Sequence, residues 1–96
     1  MMKVDLRLIE MAIQKLFEYL RDNQIEQIVL EEDYYWNICD NDLYDVTKEP
    51  VIDSIGQLTC DYELLVKFVI EKNIPVARNF LQASALLRYL SIKITV

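Results

Sequence analysis

A single glycine, Gly56, interrupts this chain of 96 residues, and proline occurs only at Pro50 and Pro75. Sandwiches and barrels need a tight turn about every 8–12 residues, and the commonest such turns demand a residue that accepts positive φ. With so few breakers an all-β fold of many turns is disfavoured, and helices become the main expected element. The length accommodates one hydrophobic core, so a single domain over residues 1–96 is expected. Apolar side chains make up 53% of the chain, enough to furnish that core and to argue against wholesale disorder.

Apolar spacing places the elements. Leu6, Ile9, Ile13, Leu16, Phe17 and Leu20 recur at intervals of three and four, which predicts a helix over about 4–21. Asp5 and Arg21 complement its dipole, and Asp22-Asn23 reads as its stop. Residues 25–30 admit a short strand or a short helix, with β-branched content leaning to strand. Asp33-Tyr34-Tyr35-Trp36-Asn37-Ile38 is richer still in strand formers, and Cys39-Asp40-Asn41-Asp42 has turn chemistry. The spacing predicts a hairpin over 33–46 with Leu43-Tyr44-Asp45-Val46 returning, or else a loop with one helical turn at Asn41–Tyr44.

Glu49-Pro50 ends that segment, and residues 51–58 read as a connector. A second long helix is predicted over 59–72, capped by the Thr59 hydroxyl, with Asp61 and Glu63 in its first turn. It is apolar almost all round from Leu64 to Ile70, which marks a central, buried helix. Lys72-Asn73 and Pro75 bound it. A third helix follows over 77–90, and Ser91–Val96 alternates like a strand or frays from that helix. The expected fold class is therefore α+β and mainly helical, with about three packed helices and a small β element.

What is missing limits the chemistry. There is no histidine, and so no ordinary neutral-pH base and no imidazole metal ligand. One glycine cannot form a phosphate-cradling loop. A small enzyme using carboxylates is the least favoured class, and no cofactor is implied. Asp40-Asn41-Asp42-Leu43-Tyr44-Asp45 has some of the look of a calcium loop, but position six is not glycine and position twelve is Val51, so no dedicated metal site is expected. Neither a secretory leader nor a membrane span is legible, and Cys39 and Cys60 read as free thiols; a cytoplasmic protein is expected.

Charge is the informative feature. Residues 1–21 balance to +1 and residues 64–96 to +4, whereas residues 22–63 hold twelve carboxylates against Lys48 alone, a balance of −11. Tyr34, Tyr35, Trp36, Tyr44 and Tyr62 lie in that same stretch. Aromatics supply anchoring area and carboxylates steer and pair with Lys or Arg, so the stretch suits a basic protein partner. Ordinary explanations stand beside this one: alternation turns some of residues 34–38 inward and Trp36 is expected to enter the core, and the carboxylates can be a solvated face. A solvated surface normally mixes both signs, which favours the functional reading. Chosen on charge and type, the candidate contacts are Asp33, Tyr35, Asp40, Asp42, Tyr44 and Asp45. Direct nucleic-acid binding is disfavoured by the negative balance.

The segments Asp33–Ile38, Leu43-Tyr44-Asp45, Glu49-Pro50, Ile55-Gly56-Gln57-Leu58-Thr59 and Ala85-Leu86-Leu87-Arg88-Tyr89-Leu90 resemble a family of small acidic bacterial proteins of the immunity-protein kind, from about residue 25 onward. The resemblance implies an immunity or antitoxin-like protein that neutralises a basic toxin, a nuclease being one candidate. It carries over no catalytic residue. The competing class is a structural or adaptor subunit that acts by homodimerisation or within a larger assembly.

Overall fold

A computed structural model describes residues 1–71 and 76–95. The fold is α+β and mainly helical, as expected, with four helices and a two-stranded antiparallel sheet among the described residues. The chain forms two compact units, Met1–Val29 with Ile94–Val96, and Leu30–Lys93.

The first unit holds α1, Leu6–Asp22. Asp5 caps it, its carboxylate accepting from the Arg7 N–H at 3.0 Å. The stop at Asp22-Asn23 is a Schellman closure. Gln24 takes the left-handed conformation at φ 62°, Ile25 N donates to Leu20 O at 2.8 Å and Gln24 N to Arg21 O at 2.9 Å. Glycine is the usual residue there, and its absence hid this geometry from the sequence. Residues 25–30, which leaned to strand, have no regular structure.

The second unit contains β1 (Tyr34–Ile38), α2 (Asp40–Leu43), β2 (Ile52–Gln57), α3 (Leu58–Glu71) and α4 (Val76–Lys93). The predicted hairpin over 33–46 is corrected. Residues 43–46 form no strand, and the partner of β1 is the stretch expected to be a connector. The register pairs Tyr34 with Gln57, Tyr35 with Gly56, Trp36 with Ile55 and Asn37 with Ser54, then slips at a bulge so that Ile38 faces Ile52. The single helical turn held as the alternative is α2. Two hydrogen bonds hold the long connection: Asp42 accepts from Val51 N at 2.9 Å, and Val51 O accepts from Cys39 N at 3.0 Å.

The α3 cap also differs from expectation. Asp33, at the mouth of β1, accepts from Thr59 N at 2.8 Å, and the Thr59 hydroxyl donates to the same carboxylate rather than capping the helix itself. Pairing β1 with β2 places the Asp33 carboxylate at the helix start, where orphan N–H groups and the dipole favour an anion.

Helices α3 and α4 pack together, and α3 buries a narrower face than its apolar composition suggests. Leu58 is buried, and Asp61, Leu65 and Phe68 are half-buried at helical spacing, whereas Val69 and Ile70 remain 79% and 76% exposed. The expectation of a helix buried all round is therefore corrected. The third predicted helix runs three residues past its expected end at Leu90, to Lys93, replacing the strand-like reading of that tail. The predicted breaks at Lys72-Asn73 and Pro75 lie outside the described residues.

Candidate functional site

The two faces of β1 have different fates, because successive side chains of a strand point to opposite sides. Tyr35 and Asn37 face inward and are half-buried. The Tyr35 hydroxyl donates to the Asp61 carboxylate on α3, and its ring lies across the directly opposed Gly56. A Cβ at Gly56 would fall 2.1 Å from Tyr35 Cζ, which is why this position tolerates only glycine while the ring stays put. Burial, reinforced by the adjacent Asp61 carboxylate, pushes the Tyr35 hydroxyl well above its ordinary pKa. Burial also raises Asp61, although the Tyr35 hydrogen bond works in the opposite direction.

With Tyr35 facing inward toward α3, Tyr34, Trp36 and Ile38 must face the other way. Trp36 is 66% exposed and Tyr34 68%, and Ile55, directly opposite Trp36, is exposed as well. The expectation that Trp36 enters the core is overturned. A band of large side chains lies uncovered on the outer face of a two-stranded sheet, at the centre of the most acidic stretch of the chain. Isolated exposed apolar residues are ordinary; a contiguous aromatic and aliphatic band is the kind of feature that marks a contact surface.

The six residues chosen from sequence divide in two. Asp33, Tyr35 and Asp42 are committed internally. Asp33 accepts from Gln57 Nε2 at 2.8 Å as well as from Thr59, and these bonds, Gln57 first, hold its pKa below the usual carboxylate value. Asp42 is only 7% exposed and accepts a 2.7 Å ion pair from Lys48, which, with the Val51 N–H, lowers its pKa. Asp40, Tyr44 and Asp45 remain available outward. Asp40 and Tyr44 are exposed, and Asp45 is half-buried, closing a local turn by accepting from the Thr47 hydroxyl and N–H, which lower its pKa.

Sequence reasoning missed Tyr34, Trp36, Ile55 and Asp53, the last being the extra residue at the bulge. The period-2 pattern separates Tyr34 and Trp36 from Tyr35, but which set faces out depends on where α3 lies. It also missed the cluster that ties residues 31–32 to α4. The buried Tyr89 hydroxyl accepts from Glu31 N at 2.9 Å and donates to Glu32 Oε2 at 2.6 Å, while Lys93 Nζ sits 3.1 Å from Glu32 Oε1 and 5.4 Å from the Tyr89 ring centroid. The Tyr89 bond and then Lys93 lower the Glu32 pKa, and Glu32 in turn raises that of Lys93. This cluster uses up cation and carboxylate together and leaves little for a partner.

Among the described residues no group of three or more Cys, Asp or Glu side chains is gathered so as to hold a metal ion, and no helix is long and apolar enough to cross a membrane. Cys39 and Cys60 are free thiols. Compared with family models, curated proteins and solved structures, the chain matches none of them.

Proposed function

We propose that this chain is an immunity- or antitoxin-like protein that covers a basic partner protein, a toxin domain, in the cytoplasm. The observation that carries the reading is the exposed Tyr34, Trp36 and Ile55 band set in a segment whose charge balance is −11. Aromatic anchors in a carboxylate-rich surround are what a basic surface requires, the rings supplying desolvated contact area and the carboxylates long-range attraction. The contact surface differs from the one chosen by composition. Asp33, Tyr35 and Asp42 shape the scaffold, whereas Trp36, Tyr34, Asp40, Tyr44, Asp45 and Asp53 meet the partner.

The test is affinity capture of the tagged full chain from its host lysate at low and then high salt, with mass spectrometry of what elutes. A basic protein released by salt, and lost when Asp40, Glu49 and Asp53 are together changed to Lys, is the expected result. The same protein retained by the triple variant at unchanged affinity refutes the reading. A second reading, a self-associating subunit, is favoured by one observation: the apolar stripe of α1 is exposed at Leu6, Ile9 and Leu16. Sedimentation that shows a tight dimer with no captured partner would select it.

A further inference from the structure

Hydrogen-bonded and open pairs alternate along an antiparallel ladder, so one bonded pair sets the phase of all the others. Asp33 O accepts from Leu58 N at 2.7 Å, which makes Asp33 and Leu58 a bonded pair. The register then makes Tyr34–Gln57 open, Tyr35–Gly56 bonded and Trp36–Ile55 open. Tyr34 and Trp36 therefore turn their backbone N–H and C=O groups away from β2. Among the described residues β1 has no neighbour in the sheet but β2, so those groups line an edge that no described strand pairs. The same two residues carry the exposed rings, so one edge offers both backbone pairing and aromatic contact. The edge of β2 is less receptive, because the bulge inserts Asp53 and bends the strand, a common way of blunting an edge.

We propose that the β1 edge receives an extended, lysine- or arginine-bearing segment of the partner as a third strand, paired to the backbone of Tyr34 and Trp36. The proposal rests on the reading of a basic partner and adds the mode by which it binds. Strand addition derives affinity from main-chain bonds and specificity from alternate side chains. Charge selects the occupant. Lys48, the lone cation of residues 22–63, is paired with Asp42, whereas Asp40, Glu49 and Asp53 are exposed with no ion-pair partner among the described residues. A second copy would bring an identical −11 segment to the same edge, and like charge opposes that pairing.

Trp36 is the chain's only tryptophan, so its emission reports on this edge directly. The probes are three end-blocked heptapeptides added to the full chain: one alternating Lys and Val, the same peptide with every backbone nitrogen methylated, and one with Glu in place of Lys. The Lys-Val peptide is expected to shift Trp36 emission to the blue, less so as salt rises. Its methylated form should bind about tenfold more weakly, since it lacks the N–H donors that would pair with the Tyr34 and Trp36 carbonyls. The Glu peptide should not bind. Equal binding of the methylated peptide overturns strand addition and leaves the basic-partner reading standing. Equal binding of the Glu peptide overturns the basic occupant. No shift with any peptide overturns the edge site, and a blue shift that instead follows dimerisation of the chain alone assigns the edge to a second copy.

Discussion

Gly56→Ala tests whether the glycine is there for its backbone or for its neighbour. Gly56 does not have positive φ, so alanine meets no backbone strain, and in isolation the change should stabilise by about 0.5–1 kcal/mol through lost unfolded-state entropy. The new Cβ, however, would lie 2.1 Å from Tyr35 Cζ. The ring must swing aside and give up its hydrogen bond to Asp61. Bonds to charged groups contribute about 1.5–3 kcal/mol, and the half-exposed setting puts this one near the lower end. The net expectation is a loss of about 1 kcal/mol, roughly 4–8 °C in Tm for a domain of this size. In a Tyr35→Ala background the three atoms nearest the new methyl, all of the Tyr35 side chain, are gone, and the sign reverses to a gain of about 0.5–1 kcal/mol. Urea unfolding of the four proteins, followed by circular dichroism, gives the coupling directly. An equal loss from Gly56→Ala in both backgrounds would refute the ring-over-glycine account.

Further expectations follow from other contacts. Trp36→Ala should change stability by less than about 0.5 kcal/mol, because the side chain is largely exposed, whereas a core tryptophan would cost about 3–5 kcal/mol; a large drop in the urea midpoint would return Trp36 to the core. Gln24→Gly should stabilise by roughly 0.5–1 kcal/mol by relieving the left-handed residue at the end of α1, read from thermal unfolding, and a loss would show that closure is not under strain. Tyr89→Phe should cost roughly 1 kcal/mol, since the Glu31 N–H loses its acceptor, and an unchanged midpoint would show the cluster to be ornamental. Stability should fall on acidification. Glu32, Asp33, Asp42 and Asp45 all have folded pKa values below their unfolded ones, so their contribution is complete above the unfolded carboxylate range and is lost as pH drops through the lower folded values. Asp61, raised by burial, works the other way, because its ionised form lowers stability above its folded pKa. Urea midpoints from pH 6 to 3 measure the balance, and a flat profile would remove the carboxylate contacts from the account.

Much of this protein was legible where the responsible interactions are local. The α1 stripe from Leu6 to Leu20, the acidic Asp5 near its start and the stop at Asp22-Asn23 each rest on interactions between near neighbours in the chain, so spacing and residue type suffice; that Asp5 is the cap itself, with the helix beginning at Leu6 rather than about residue 4, came from the structure. The strand character of Tyr34–Ile38 was equally plain from its aromatic and β-branched content, and the charge asymmetry of residues 22–63 needs no coordinates at all. Apart from the local closure at Gln24, what escaped were choices between residues distant in the chain. Tyr34–Ile38 could pair with 43–46 or with 52–57, and the decision went to 52–57, where Gly56 makes room for the Tyr35 ring and Asp33 can reach the Thr59 N–H. Once Tyr35 is committed to Asp61, alternation leaves Trp36 no side but the outer one. Composition therefore identified an acidic aromatic segment, whereas the packing of β1 against the start of α3 decided which of its residues build the scaffold and which stand free to meet a partner, because only three-dimensional contact tells apart the two faces of a strand whose residue types are alike.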